Sequence, residues 1–384
     1  MIRDQKNLDA LVQRTREWVR EVAIPAEEQV ARENVIGDDL VRQMRDEGFF
    51  GWSIPREYGG TGLTCEELVY ANIEISQAAT AFRARAGGNT GIGSEALIQD
   101  GTEEQKSRYL PRLASGEITG CFALTEPEAG SEATNLKTTA VRDGDHWVLN
   151  GQKCFITNAP IADLFTVFAR TDRVSNGSRG LSAFLVEAGT PGLTPGAPYQ
   201  KMGQAGSPVS DITITDCRVP QAAMLGEQGN GFRSAMKALN KQRLNLSGLC
   251  IGPAIRMLDM AKEHARGRVQ FGKPIADHQL VQAMIADSET ELAAARALLL
   301  EAARKRDAGG DTRMEGSMCK YFASEMCGRV GDRAVQIFGG SGYVADFSPI
   351  ERFYRDVRLF RLYEGTSQIH QLTIAKMAMA NATD

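Results

Sequence analysis

Glu364-Gly365 lies in the run Arg361-Leu-Tyr-Glu364-Gly-Thr-Ser-Gln368 near the C-terminus. A Glu followed by Gly can sit on a tight turn with its carboxylate aimed into a cleft. It can equally serve a helix cap, since Thr366 or Ser367 could start the final helix. Far upstream, Cys121-Phe-Ala-Leu-Thr-Glu-Pro-Glu-Ala-Gly-Ser131 joins the Thr125 hydroxyl to Gly130 and Ser131. Backbone N–H groups and short hydroxyls there can hydrogen-bond a polar heterocycle, or the run can be an ordinary linker. Phe155-Ile-Thr157-Asn158 brings an aromatic and a hydroxyl to a strand end, suited to a core or to a cofactor shelf.

Two glycine patterns point to less. Gly267-Arg-Val-Gln-Phe-Gly272-Lys273-Pro274 nearly matches a P-loop, but Pro stands where a Mg²⁺-binding hydroxyl is needed and the segment follows a helix. Gly339-Gly340-Ser341-Gly342 lacks the strand-turn-helix setting of a dinucleotide fold. The seven cysteines and four histidines show no metal-ligand spacing. The cysteines read as reduced thiols of a cytoplasmic protein. A net charge of −4 with mixed signs argues against nucleic acid as the main partner. No apolar run approaches the ~18–20 residues of a membrane span, and the start lacks the apolar region of a signal peptide.

The elements around these residues fall into three blocks within 384 residues, enough for more than one core. Residues 1–119 read as helical: Leu8, Leu11, Val12, Trp18, Val19 and Val22 keep helical spacing until Pro25, which is expected to stop the run. Residues 120–230 read as strands. Asp143-Gly144 and Asn150-Gly151 are hairpin signals, predicting a three-stranded meander over 138–157, with further strands at 164–169, 182–186 and 211–215. Residues 231–384 return to helical spacing, including one long helix from Val281 that ends near Gly309-Gly310. The expected class is α+β, mostly α: an N-terminal helical domain, a middle all-antiparallel β domain and a C-terminal helical bundle.

Taken together, the motifs resemble the acyl-CoA dehydrogenases over essentially the full length. The matching stretches are Leu124-Thr-Glu-Pro-Glu-Ala-Gly-Ser131, Asn150-Gly-Gln-Lys-Cys-Phe-Ile-Thr-Asn158, Arg268-Val-Gln-Phe-Gly-Lys273, Gln336-Ile-Phe-Gly-Gly-Ser-Gly342 and Tyr363-Glu-Gly-Thr-Ser-Gln368. The resemblance implies FAD, with Phe122, Leu124, Thr125 and Ser131 on one side and Phe155 and Thr157 on another. Family members usually carry Tyr and Trp where Phe122 and Phe155 stand, so an aromatic surface is kept without its polar hydrogen. Arg268 would reach the FAD pyrophosphate of a neighbouring subunit, with Phe271 packed beside the cofactor. Gln336, Gly339 and Gly340 would meet the adenosine half across the same interface. Thr366 and Gln368 match flavin-contacting positions. A shared FAD implies a dimer, commonly a dimer of dimers.

The resemblance also implies a role in fatty-acid β-oxidation. An acyl-CoA would bind against Ser131, Asn240, Arg243, Tyr363 and Gly365. Glu364 would remove the α-proton while its backbone N–H and a ribityl hydroxyl of FAD bind the thioester carbonyl. The family's other base position corresponds to Gln242, which accepts no proton. The product would be a trans-2-enoyl-CoA, with electrons passed to an electron-transfer flavoprotein. An O₂-using acyl-CoA oxidase and a non-catalytic flavoprotein are the alternatives. Arg83 stands where glutaryl-CoA dehydrogenases bind a distal carboxylate; it could instead pair with a protein acid such as Glu74 or Glu95. The acyl chain stays unspecified; a short or acidic one is expected only if Arg83 meets the substrate.

Overall fold

The computed structural model describes residues 1–172 and 177–381. The first block is helical: α1 (Gln5–Trp18), α2 (Ile24–Glu33), α3 (Asp38–Asp46), α4 (Cys65–Ile75), α5 (Thr80–Gly87), α6 (Ile92–Asp100) and α7 (Glu103–Ala114). Leu8, Leu11, Thr15 and Trp18 form the buried stripe of α1, and the Asp4 carboxylate caps its start. Pro25 does not end the run as expected. A π-helical turn, Val19–Ala23, precedes it, and Pro25 falls in the first turn of α2, where its missing N–H costs nothing.

The middle block is one sheet of β1 (Gly120–Ala123), β2 (Thr139–Asp143), β3 (His146–Thr157), β4 (Leu164–Arg170), β5 (Leu181–Glu187), β6 (Leu193–Pro195), β7 (Val209–Pro220) and β8 (Met224–Leu225). The order is β6-β7-β3-β2-β4-β5-β8, with β1 paired to β4. Two expectations fail here. The sheet is mixed rather than all-antiparallel, because β1 runs parallel to β4, Gly120 opposite Leu164. Hairpin signals report only local pairs, and this pairing joins segments separated by β2 and β3. Nor is there a turn at Asn150-Gly151. The Asp143-Gly144 turn is real, but β3 continues as one strand and the Asn-Gly step is a bulge against β7. Gly151 has φ 156°, and the Asn150 side chain exchanges hydrogen bonds with Asp216 across the bulge at 3.1 and 2.8 Å.

The last block holds α8 (Gly231–Gly267), a small hairpin of β9 (Val269–Gln270) and β10 (Lys273–Pro274), then α9 (Gln279–Asp307), α10 (Arg313–Phe338), the short α11 (Gly340–Tyr343), α12 (Ile350–Val357) and α13 (Ser367–Asn381). The cores cross the block boundaries. Cys65, Val69 and Ile73 of α4 pack into the α8–α10 core, and α6 and α7 share a core with β4, β5 and the start of α8. This shared packing fixes the helices and the sheet edge relative to one another, and a cavity lies between them. No helix among the described residues is long and apolar enough to cross a membrane.

Candidate active site

The cavity, about 500 Å³, is lined from four directions. The end of β1 and the loop after it bring Phe122, Leu124, Thr125 and Ser131, and the end of β3 brings Phe155 and Thr157. From α5 comes Arg83, and from α8 come Gln242 and Arg243. The segment before α13 brings Tyr363, Glu364 and Gly365. Phe155 is held with φ 58° and its ring is 68% exposed at the rim. An exposed aromatic on a strained backbone makes a shelf rather than a core contact.

A buried ion pair ties the two sheet walls together. Lys153 Nζ donates to the Glu126 carboxylate at 2.7 Å and to the Leu124 carbonyl at 3.2 Å. Glu126 also accepts from the backbone N–H groups of Lys137 and Thr138. Burial pushes its carboxyl up, but Lys153 and these donors outweigh that and hold it below the usual range. Lys153→Met leaves a buried carboxylate without its cation. We expect a loss of about 3–5 kcal/mol in stability by denaturant unfolding, with FAD lost earlier in the same titration.

Glu364 stands on a turn, φ 52°, followed by Gly365 at φ 95°. The left-handed conformation is costly for Glu and free for Gly. A Cβ at Gly365 would also lie 3.0 Å from the His370 ring. The turn is thus imposed by what packs against it. The capping role goes elsewhere: the Thr366 hydroxyl accepts from Ile369 N–H at 3.3 Å at the start of α13. Glu364 Oε2 is buried with no hydrogen-bond partner among the described residues. Burial pushes the carboxyl up to about 7, while Lys320, Arg83 and Arg243 pull it down. A carboxylate with a pKa near neutrality and an unsatisfied oxygen is suited to taking a proton.

Arg83 is buried, and its Nε donates to Asn72 Oδ1 at 2.7 Å. The pairing with a protein acid does not occur. Glu74 is held by Arg16 at 3.0 Å and Glu95 by Lys241 at 2.7 Å, and no ion pair to Arg83 forms among the described residues. Burial pushes the guanidinium down to about 10, opposed by Glu364. Arg243 Nη1 donates to Asn240 Oδ1 at 2.7 Å, so Asn240 orients the arginine rather than lining the cavity.

Other expected site residues lie elsewhere. Arg268, Phe271, Gln336, Gly339 and Gly340 are all exposed, Phe271 at 95%. Phe271 and Gln336 line a separate shallow cleft with His278 and Leu280. Gln368 is exposed on α13, and neither it nor Thr366 lines the main cavity. Sequence reading passed over two groups beneath the turn, Lys320 and His370, both fully buried. Lys320 had a legible signal: it shares helical spacing with Ala323, Cys327, Val330 and Ala334 on the buried stripe of α10.

Sequence models of the acyl-CoA dehydrogenase N-terminal, middle and C-terminal domains match residues 5–117, 121–217 and 229–379 in that order. The chain belongs to the acyl-CoA dehydrogenase family. Its relatives include the acryloyl-CoA reductase (NADH) of Anaerotignum propionicum, 42% identical over 381 residues, spanning 99% of this chain and 95% of that one. The caffeyl-CoA reductase–Etf complex subunit CarC of Acetobacterium woodii is 41% identical over 341 residues, 89% of each chain. Among solved structures, the glutaryl-coenzyme A dehydrogenase–glutaryl-CoA complex is similar with a TM-score of 0.93 at 35% identity, over 99% of this chain and 97% of that one. Relatives in this acyl-CoA dehydrogenase family are thus named as oxidoreductases in both directions.

Proposed function

We propose that this chain binds FAD and dehydrogenates an acyl-CoA thioester at Cα–Cβ, with Glu364 as the base that takes the α-proton. One observation carries the reading. A half-buried carboxylate with one buried, unsatisfied oxygen, on a strained turn, shares a cavity with an exposed aromatic shelf and short hydroxyls. The residues fit the cofactor: Phe122 and Phe155 offer flat apolar surface, while Thr125, Ser131 and Thr157 offer hydrogen bonds to a polar ring. FAD supplies the acceptor for the hydride that leaves Cβ.

The chain does the rest. Glu364 removes a weakly acidic proton, and its raised pKa makes it a stronger base than a free carboxylate. The Glu364 backbone N–H binds the thioester carbonyl, where negative charge develops. Arg243 meets the CoA-bearing part of the substrate, Tyr363 and Gly365 bound the acyl chain, and Arg83 receives a carboxylate at the far end of a short chain. The exposed set at Arg268, Phe271, Gln336, Gly339 and Gly340, with Thr366 and Gln368, belongs to cofactor contacts made between subunits. That requires a dimer, assembled further into a dimer of dimers. The electron acceptor is an electron-transfer flavoprotein, as the name of the Acetobacterium relative's complex suggests. Seven free, buried cysteines accord with a cytoplasmic enzyme of acyl-CoA oxidation.

The pH dependence follows from the sign of the shift. Glu364 must be deprotonated, so flavin bleaching by substrate should be slow below about 7 and reach a plateau above it. Anaerobic stopped-flow from pH 5.5 to 9 measures this; a flat profile would contradict it. The reaction class is tested by mass spectrometry of the CoA ester. With electron-transfer flavoprotein present, the product should be lighter by two hydrogens and form over many turnovers. Rapid turnover with O₂ alone would instead make the protein an oxidase, and unchanged thioester would make it a non-catalytic flavoprotein.

A further inference from the structure

We propose that Lys320 is a positioning residue for Glu364: its ammonium clamps the carbonyl of the base turn and sets a positive charge beneath the carboxylate. This rests on Glu364 being the base. Lys320 is 0% exposed, and Nζ donates to the Gly365 carbonyl at 2.5 Å. No carboxylate pairs with it among the described residues. The carboxylate one turn further along α10, Glu325, is engaged by Arg361 at 3.4 Å and the Ser367 hydroxyl at 2.6 Å. A buried ammonium is costly, so its retention at the turn needs a compensating interaction. The Gly365 carbonyl gives one, and the field of Glu364 gives the other.

The clamp has two sides. Lys320 draws the Gly365 carbonyl toward α10, while the fully buried His370 ring fills the space a side chain at Gly365 would need. Burial drives the His370 ring down to about 3, so it is neutral. It therefore contributes shape and leaves the charge to Lys320. The two residues together account for a non-glycine residue held at positive φ.

The groups that act on Glu364 are Lys320 from α10, Arg83 from α5, Arg243 and the Cys250 thiol from α8, Tyr363 beside it and His370 from α13. Arg83 and Arg243 line the cavity, so changing either alters substrate contacts as well. Lys320 does not line it, which lets its effect on the base be read apart from binding. Burial pushes its amine down to about 8, with Glu364 among the groups opposing that shift.

The test is anaerobic flavin bleaching across pH by butyryl-CoA or glutaryl-CoA, whichever bleaches the wild type faster, in FAD-loaded Lys320→Met and Lys320→Gln. Met matches the lysine stem and needs no partner; Gln keeps a donor for the carbonyl without the charge. In either variant the acid limb should move up by about one pH unit, the order expected for loss of a nearby opposite charge. The plateau should fall about tenfold in Lys320→Met and recover part of that in Lys320→Gln, because one retains no donor to the turn. One folded variant of the two suffices, and an acid limb that stays at the wild-type pH overturns the proposal. The underlying reading fails separately: Glu364→Gln bleaching at the wild-type rate would remove the base, whereas a dead Glu364→Gln with unmoved Lys320 variants would remove only the clamp.

Discussion

Glu364→Gln should retain FAD with an unchanged visible spectrum and bleach at least about 10³-fold more slowly with any acyl-CoA that reduces the wild type. The magnitude is that of losing a positioned general base. Gln has the shape of Glu and keeps the turn, its backbone N–H and its contacts with Gly365 and His370. It lacks the capacity to take a proton and the negative charge that faces Arg83, Arg243 and Lys320. Among the described residues the other carboxylate lining the cavity is the exposed Glu132, on the loop after β1, and the α8 residue there is Gln242, whose amide oxygen already accepts from Asn245 at 3.0 Å. The charge change also separates base from structure: removing the carboxylate relieves nothing around Arg83, Arg243 and Lys320, so a spectrum like that of the wild type excludes collapse of the site. Stopped-flow absorbance of the flavin is the measurement, and a loss below tenfold would move the base elsewhere.

Arg83→Ala should cost about 10- to 100-fold in the efficiency of bleaching by glutaryl-CoA relative to butyryl-CoA. That is the range for a hydrogen bond between charged groups in a buried setting. The comparison of two substrates matters because Arg83 also acts on Glu364 through its charge. That effect is common to both thioesters and cancels in the ratio, leaving the contact with the tail. The expectation draws its force from the pairing around Arg83. A buried guanidinium with one amide partner, and with both neighbouring candidate acids engaged elsewhere, is left with unspent donors in a cavity. An equal loss for both substrates would make Arg83 a regulator of the base and not a reader of the acyl chain.

Much of this was legible from residue types in order. Helical spacing located α9, and Asp143-Gly144 marked a true hairpin, because these signals depend on neighbours a few residues away. Asn150-Gly151 carries the same local signal and becomes a bulge. The outcome there depends on β7, which pairs along the whole of β3 and whose position no dipeptide reports. The parallel β1–β4 pair was hidden for the same reason. Pro25 misled because a stop signal in an isolated helix becomes a first-turn residue once a π turn realigns the chain. In the site, Glu364 could be read as base or cap until the fold left its oxygen unpartnered in the cavity. Lys320 escaped notice because a lysine is ordinarily taken for surface, although its place on a buried stripe was there to be read.

The most direct measurement is anaerobic titration of the purified, FAD-loaded protein with a panel of straight-chain, branched and dicarboxylic acyl-CoA thioesters. The site described here predicts that at least one short or acidic thioester bleaches the flavin stoichiometrically, with the dicarboxylic members ranked by their fit to Arg83. Failure of every thioester to bleach the flavin would contradict the assignment of Glu364 as a base acting on an acyl-CoA.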